Sequence, residues 1–316
     1  MQLQNKSRIA YLGALTLLFS YAEMLLPRFI PFFRLGLGNI CILLALGLPL
    51  PDFLILTLIK SVASSMLSGT LISPFFLISV SQSILSGLLM WILFKIKKNW
   101  LGIYGISLAG SALSGFIQIG ISSLYLGKET FSLLGPMLIF SIFSGIITAF
   151  LSLILKIPEE TPLLKETSKS SNPKLMIFFA IFILLIIIFS FMINNLILLG
   201  IILILSVILQ ICLKRRFMIL PHISMWTFVI IISLFSPQGI VLFKAGFIVI
   251  TKDALLIGIE KSIKLSIAAC LSQCIATIPV SDSTLPGLSL AYFRQLLSEY
   301  KNQKGSFIKK IQAVLK

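Results

Sequence analysis

The sequence EMLLPRFIPFFRLGLGN, residues 23–39, decides how this 316-residue chain is organised. Apolar segments flank it on both sides, yet it contains one carboxylate, two arginines, two prolines, two glycines and an amide. Such groups cost several kcal/mol wherever lipid reaches them, so they are expected only against protein or a water-filled cavity. We therefore predict a binding site at this stretch.

The composition places the whole chain in one class of protein. Hydrophobic residues make up 58% of the sequence and charged residues only 11%, which is far from the balance of a soluble domain. This predicts an all-α polytopic membrane protein. The net charge of +16 comes from short basic clusters between apolar segments, a distribution that sets membrane orientation and favours an anionic inner leaflet. A basic face interleaved with aromatic residues is not visible, which argues against nucleic-acid binding.

The first half of the chain is predicted to form a six-helix bundle in a cytoplasmic (inner) membrane. Lys6 and Arg8 precede the first apolar segment and place the N-terminus in the cytoplasm. Arg28 and Arg34 then fall on the outer side, where topology does not favour positive charge; a functional role and pairing with Glu23 are both open. The predicted spans are residues 9–26, 35–50, 53–68, 74–94, 101–125 and 133–155.

A polar segment divides the chain into two modules of different amino-acid composition. Residues 157–174 are rich in Pro, Ser, Thr and charge, which predicts a cytoplasmic linker after a first domain of residues 1–156. The first domain carries small residues four apart, such as Ser79, Ser83 and Gly87, which favour close helix packing. The second module, residues 175–291, is dominated by Ile, Leu and Phe. Its predicted helices are 175–193, 196–213, 223–235, 240–250 and 254–278, with the two short ones forming separate elements or one broken pair.

The C-terminal tail, residues 292–316, is predicted to be a cytoplasmic amphipathic region. Its apolar residues fall on one helical face and lysines lie opposite. A basic amphipathic helix lies on the inner leaflet or docks in the groove of a partner, and the pattern leaves both open. The candidate partner-binding residues are Phe293, Leu297, Tyr300, Ile308 and Ile311.

Polar residues within the apolar spans form the candidate binding site. Lys60 lies near the middle of a predicted span, so it should face a cavity or pair with an acid such as Glu23. Arg34 beside Gly36 could receive an anion, although a snorkelling arginine with packing glycines is the alternative. Gln82 and Gln118 could bind a ligand or bridge helices. The candidate substrate-binding residues are Glu23, Arg34, Gly36, Asn39, Lys60, Gln82 and Gln118.

Catalytic and metal-binding patterns are not visible in the sequence. Asp52, Asp253 and Asp282 are isolated, so there is no aspartate-rich diphosphate-Mg²⁺ motif, and no Walker motif is present. The four cysteines form no C-x-x-C pair and are interpreted as packing residues. We therefore expect a protein that is not an enzyme and has no catalytic residue, metal site or cofactor of its own.

Four stretches of the first half resemble a known family. SYAEMLLP (20–27), FFRLGLGNI (32–40), LISPFFLISV (71–80) and GISLAGSALSGFIQ (105–118) are similar to the Gx transporter family. This bacterial group is also labelled heptaprenyl diphosphate synthase component I and is related to the S components of energy-coupling factor (ECF) transporters. The resemblance covers residues 5–156. The chain departs from the family pattern where Phe32-Phe33 replace proline-glycine, where Arg34 replaces lysine, and where Ser114-Gly115 replace histidine-asparagine.

The second half is similar, more weakly, to the transmembrane T component of the same transporters. The likeness rests on PKLMIFF (173–179), on Asn194-Asn195 and on TKDALLIGIEKSIKLSIAACLSQCIAT (251–277), while the alanine-arginine coupling motif is missing. The resemblance implies a fused ECF-type protein that binds an anionic vitamin-, flavin- or isoprenoid-like substrate. Partner ATPase subunits would use the ATP and would contact the tail. The family also implies two alternatives: a membrane accessory of flavin-linked extracytoplasmic electron transfer, or a membrane subunit linked to prenyl diphosphate synthesis.

Overall fold

Helices make up nearly all of the computed structural model, which describes residues 2–25, 35–96, 101–155, 173–235, 239–245, 248–275 and 284–303. The predicted all-α class is confirmed. The first half contains α1 (Gln2–Leu25), α2 (Asn39–Leu44), α3 (Leu50–Ser68), α4 (Pro74–Ile96), α5 (Ile103–Leu126), a 3-10 helix (Lys128–Leu133) and α6 (Leu134–Ile154). The second half contains α7 (Pro173–Met192), α8 (Leu196–Cys212), α9 (Ile219–Leu234), β1 (Val241–Ala245), β2 (Ile248–Thr251), α10 (Lys252–Ile275) and α11 (Leu285–Asn302).

The apolar helices make this chain a multi-pass membrane protein. Within the described residues, four helical segments are long and apolar enough to cross a bilayer: α3, α4, α5, and the 3-10 helix continued by α6. Large apolar side chains on their outer faces are exposed, such as Phe143 and Phe150 on α6. Shorter apolar helices, Phe178–Met192, Leu196–Cys212 and Ile219–Leu234, add to these in the second half.

The predicted second span, residues 35–50, is not one continuous helix. Only Asn39–Leu44 is helical, because Gly36 has a left-handed φ of 67° on one side and Pro49 adopts an extended conformation on the other. The segment still passes along the bundle. It starts where the backbone N–H of Gly36 donates to Glu23 near the end of α1, and it ends where the Leu48 carbonyl accepts from Trp91 Nε1 near the end of α4.

Small residues bring the first-module helices into close contact, as the four-residue spacing predicts. A Cβ atom on Gly145 of α6 would lie 2.5 Å from Ser111 Oγ and 3.1 Å from Leu108 Cα on α5. At the same contact Ser107 Oγ donates to the Gly145 carbonyl at 2.8 Å. The backbones of α5 and α6 can therefore approach only because position 145 is glycine.

Helix α10 is the centre of the second module, and α7, α8 and α9 pack around it. In the core that these helices share, Ile267 of α10 clusters with Ile187 of α7 and Leu199 of α8. The predicted helix at 240–250 is wrong, because β1 (Val241–Ala245) and β2 (Ile248–Thr251) pair as antiparallel strands, with Ala245 opposite Ile248. Short runs of Val, Ile and Phe suit a strand as well as a buried helix, so apolar content alone could not separate the two.

The C-terminal region contains a helix, α11, that begins earlier than the predicted tail. Thr284 caps it by accepting the backbone N–H of Gly287 at 3.2 Å. Its apolar face packs against α1, where the Tyr11 and Tyr292 rings lie 5.8 Å apart and the Tyr21 and Phe293 rings 6.0 Å apart. The helix is amphipathic as predicted, but its apolar face is covered within the chain, contrary to a free tail.

The end of the first bundle rests on the side of α10. The turn between α3 and α4 contacts it where Ile72 N donates to Ser272 Oγ at 2.9 Å, and the end of α5 contacts it at Lys261. The α3–α4 turn and the end of α5 lie at the same end of the bundle. The two residues of α10 that they contact, Ser272 and Lys261, are about 16 Å apart along the helix axis. The bundle helices therefore run across α10 instead of alongside it.

Candidate functional site

A polar cavity lies inside the first bundle, enclosed by α1, α3, α4, α5, α6 and residues 36–39. Its volume is about 110 Å³. The structure brings six of the seven predicted substrate-binding residues together at its wall, while Arg34 lies outside the described residues. Their role in binding stays a prediction. The six are Glu23, Gly36, Asn39, Lys60, Gln82 and Gln118.

Glu23 holds the turn that enters α2. Its two carboxylate oxygens accept the backbone N–H groups of Gly36 and Leu37, each at 3.0 Å. Charged acceptors make stronger hydrogen bonds than neutral ones, and these two bonds satisfy donors that no helix could pair. The acid in the 23–39 stretch therefore fixes the shape of one cavity wall.

Lys60 reaches the cavity from the middle of α3. Its ammonium donates to Asn39 Oδ1, which links α3 to the start of α2. Gly38 lies between Lys60 and α1. A Cβ on Gly38 would lie 2.6 Å from Ser20 Oγ on α1 and 3.4 Å from Lys60 Cε. A glycine at this position lets the lysine pass close to the backbone, as expected for an ammonium that avoids lipid.

Gln82 and Gln118 contact each other across α4 and α5. Gln82 Nε2 donates to Gln118 Oε1 at 2.9 Å and to the Ser114 carbonyl at 3.0 Å. The two predicted roles, bridging helices and facing a ligand, are therefore compatible. The pair bridges the helices, and both side chains also line the cavity.

Serines are the part of the cavity that sequence reasoning missed. Ten of the described residues at its wall are serines, and several were interpreted only as packing residues. They recur at three- and four-residue intervals, which places them on one face of each helix. The signal was in the sequence, because hydroxyl groups repeated on one face of successive apolar helices indicate a shared polar interior. On α3 and α4 the serines are Ser64, Ser68, Ser79, Ser83 and Ser86; on α5 and α6 they are Ser111, Ser114, Ser141 and Ser144.

The hydroxyl protons of several cavity serines are used within the protein. Ser86 Oγ donates to the Gln82 carbonyl at 2.5 Å, and Ser141 Oγ donates to the Met137 carbonyl at 2.8 Å. Such bonds to the preceding helical turn are common for serine in helices. What these side chains have left for the cavity is the lone pairs of their oxygen atoms.

Metal-ligating residues do not cluster in the part of the chain that the structure describes. No group of three or more His, Cys, Asp or Glu side chains there could hold a metal ion. Cys41, Cys270 and Cys274 are buried thiols and Cys212 is an exposed one. His222, at the start of α9, contacts Ser266 Oγ on α10 through Nδ1 at 3.1 Å.

Fold and cavity together define a helical membrane protein with a polar site inside its first bundle. Residues 12–155 match the family described as heptaprenyl diphosphate synthase component I, in agreement with the resemblance in the first half. Residues 173–277 match a domain of unknown function (DUF8519), and this match begins at the first residue of α7. The similarity of this second half to T components stays a prediction. No curated protein and no solved structure matches the chain.

Proposed function

We propose that this protein is the membrane component of an ECF-type transporter, with a ligand-binding first module and a second module that recruits ATPase subunits. The observation that carries the proposal is the polar cavity itself. Serines help membrane helices to pack, but amide and ammonium groups that face one interior space are costly in a membrane unless that space is polar. Binding a polar ligand is the function that makes this arrangement useful.

The contact between the modules supports a mechanism of reorientation. The end of the first bundle meets α9 and α10 through polar contacts, Lys261 with Leu126 and Ser272 with Ile72, and through an apolar cluster that joins Leu126 to Val229 and Leu265. ATP hydrolysis by partner subunits would move the second module, and these contacts would turn the first bundle with it. The cavity would thereby face alternate sides of the membrane.

Helix α11 connects the proposed partners to the cavity module. Its buried face, including Phe293, packs on α1, while Arg294 and Lys301 on its other side are exposed. Leu297 and Tyr300 are only partly buried at the edge of this contact. We place the ATPase contact on the exposed side and edge of α11, so that a partner would act on α1 through this helix. Ile308 and Ile311 lie outside the described residues.

A role in prenyl diphosphate synthesis is the second candidate, favoured by the description of the family that residues 12–155 match. In that case the protein would be a membrane subunit and would leave the chemistry to a partner. The identity of the partner distinguishes the two functions.

The test is purification of the tagged full chain from its native membrane in mild detergent, followed by mass spectrometry of the proteins that accompany it. ATPase subunits are the result expected for a transporter, and a prenyl synthase subunit would overturn that function. Uptake and ligand binding are then compared for Arg34→Ala, Lys60→Ala and the control Lys95→Ala. Lys95 lies exposed at the end of α4. Unchanged uptake and binding in the first two variants would rule out the assigned site.

A further inference from the structure

We propose that the ligand passes between the polar cavity and the second module through a gate formed by Gln118 and Met137, with Phe228 of α9 closing the passage behind it. This inference rests on the proposed function, because it names the route that a ligand of the cavity would take. It gives a residue of the second module, Phe228, a direct role in ligand exchange.

A second, much smaller cavity continues the polar cavity toward the second module. Its volume is about 10 Å³, and Gln118 and Met137 line both cavities. Both side chains are buried, so they form the wall between the two spaces. Among the described residues that line the smaller cavity, Phe228 alone belongs to the second module, and the others belong to α5, the 3-10 helix and α6.

The two cavities follow one face of α5. Ser111, Gly115 and Gln118 line the polar cavity. Gln118, Ser122 and Leu126 line the smaller one. These residues are three or four positions apart, a spacing that places them on one side of a helix. The passage therefore runs about 12 Å along α5, from Gln118 to the last residue of the helix, where the second module begins.

The smaller cavity is a narrow constriction with apolar walls. Its two hydroxyl groups have partners within the first module. Thr130 Oγ1 donates to the Gly127 carbonyl at 2.8 Å, and Ser122 Oγ lies 3.2 Å from the hydroxyl oxygen of Tyr125. A volume of about 10 Å³ is at the lower limit for a single water molecule. Apolar constrictions of this kind close a pathway to water and to polar solutes.

Gln118 is the fixed side of the gate and Met137 is the movable side. Gln118 Oε1 accepts a hydrogen bond from Gln82 Nε2 at 2.9 Å, which holds it to α4. Met137 contacts α5 at a glycine, since a Cβ on Gly115 would lie 3.3 Å from Met137 Cγ. An unbranched thioether side chain has three rotatable bonds, so Met137 can change its rotamer without a change in the backbone.

Phe228 belongs to the apolar contact between α9 and the end of the bundle. Together with Leu133 of the 3-10 helix, it packs against the cluster that contains Leu126 and Val229. Movement of α9 relative to α5 would draw Phe228 away from Leu126 and Leu133 and open the smaller cavity toward the module interface. Ligand exchange would thereby depend on the position of the second module.

The test measures how fast a thiol reagent reaches the polar cavity in the detergent-purified full chain. Ser83→Cys places a thiol at the cavity wall, and the probe is hydroxyethyl methanethiosulfonate, a small neutral reagent. Peptide mass spectrometry separates the reaction at position 83 from reactions at the native cysteines. Ser132→Cys, at an exposed position of the 3-10 helix, gives the unhindered rate.

The Ser83→Cys rate is then measured in combination with Phe228→Ala or Met137→Ala. Val229→Ala is the matched control for a loosened interface. It removes buried apolar volume from the same cluster, but Val229 is not among the described residues that line the smaller cavity.

The expected result is that Ser83→Cys alone reacts much more slowly than Ser132→Cys. Phe228→Ala and Met137→Ala should each raise its rate about tenfold or more, which corresponds to a barrier lowered by about 1.4 kcal/mol, and Val229→Ala should raise it less than about threefold.

Three outcomes would overturn the gate. A Ser83→Cys rate equal to that of Ser132→Cys would show that the cavity is already open. Equal acceleration by Phe228→Ala and Val229→Ala would reduce the smaller cavity to a packing defect. No acceleration by Phe228→Ala or by Met137→Ala would place the route elsewhere. Each of these outcomes leaves the transporter function standing, because the proteins that co-purify with the chain decide that function.

Discussion

Lys261 on α10 donates a hydrogen bond to the carbonyl oxygen of Leu126, the last residue of α5, with an Nζ to O distance of 2.5 Å. The last carbonyls of a helix have no partner within it, and a cation is favourable there because of the helix dipole. Glu129 approaches the same point, since a Cβ on Gly127 would lie 2.2 Å from Glu129 Oε2 and 3.2 Å from Lys261 Nζ. This lysine is thus one contact between the second module and the end of the first bundle, beside the apolar cluster that Leu126 forms with Val229 and Leu265.

Replacing Lys261 by Met should weaken the coupling between the modules while leaving the cavity intact. The stem of the side chain keeps its packing, but the Leu126 carbonyl loses its donor. We expect ligand binding within about twofold of the wild type and transport reduced about tenfold or more, because the lost contact is a charge-assisted hydrogen bond. Binding is measured in detergent and uptake in vesicles. The matched control is Lys252→Met, an exposed lysine on the same helix. Equal losses of binding and uptake would contradict a coupling role.

Glu23→Ala should destabilise the turn that precedes α2. Two backbone N–H groups, those of Gly36 and Leu37, lose acceptors that lie 3.0 Å away. Leaving partly buried donors unpaired costs about 1–3 kcal/mol of unfolding free energy. The loss is measured by thermal unfolding in detergent. Glu299→Ala is the control, because Glu299 accepts a long hydrogen bond of 3.3 Å from Gln295 on the same helix, and its loss should change stability by less than about 0.5 kcal/mol. The interpretation is wrong if both variants behave alike.

The position of the cavity could be predicted from the sequence because lipid penalises polar groups strongly. The apolar spans contain three strongly polar side chains, those of Lys60, Gln82 and Gln118. Because lipid excludes such groups, all three were expected to face one common interior. The serines are less conspicuous, since a hydroxyl can bond to its own helix and so looks like any small packing residue. Ser79 and Ser83 were therefore predicted as packing residues, and their position at the cavity wall was not predicted.

Other parts of the fold depend on information that is not local. The apolar residues of β1 and β2 could equally form a short helix, and only the antiparallel pairing of the two strands decides between these structures. The docking of α11 is likewise a tertiary event. An amphipathic face predicts that something covers it, but only the fold shows that Tyr11 and Tyr21 of α1 do so.

Gly13→Val should displace α11 from α1. A Cβ at position 13 would lie 2.7 Å from Ser289 Oγ and 2.8 Å from Ile59 Cγ2, so a larger side chain would clash with two helices. Overpacking of this kind costs about 1–3 kcal/mol. We expect a lower Tm together with faster tryptic cleavage at Arg294. The control is Gly120→Ala, where a Cβ meets nothing within 4 Å; there alanine should be neutral or stabilising by up to about 1 kcal/mol. If cleavage at Arg294 were unchanged in Gly13→Val, α11 would not depend on this contact.

Lys214→Gly should stabilise the protein. Lys214 follows the end of α8 with a left-handed φ of 57°. Its N–H bonds to the Ile211 carbonyl at 2.9 Å and the Arg215 N–H to the Gln210 carbonyl at 3.1 Å, which is the Schellman arrangement that favours glycine at this position. Relief of the backbone strain should raise the unfolding free energy by about 0.5–1 kcal/mol. Thermal unfolding measures it, and Lys214→Ala is the control that removes the same charge but keeps the Cβ. If alanine stabilised the protein as much as glycine, the gain would come from the lost charge and not from the backbone.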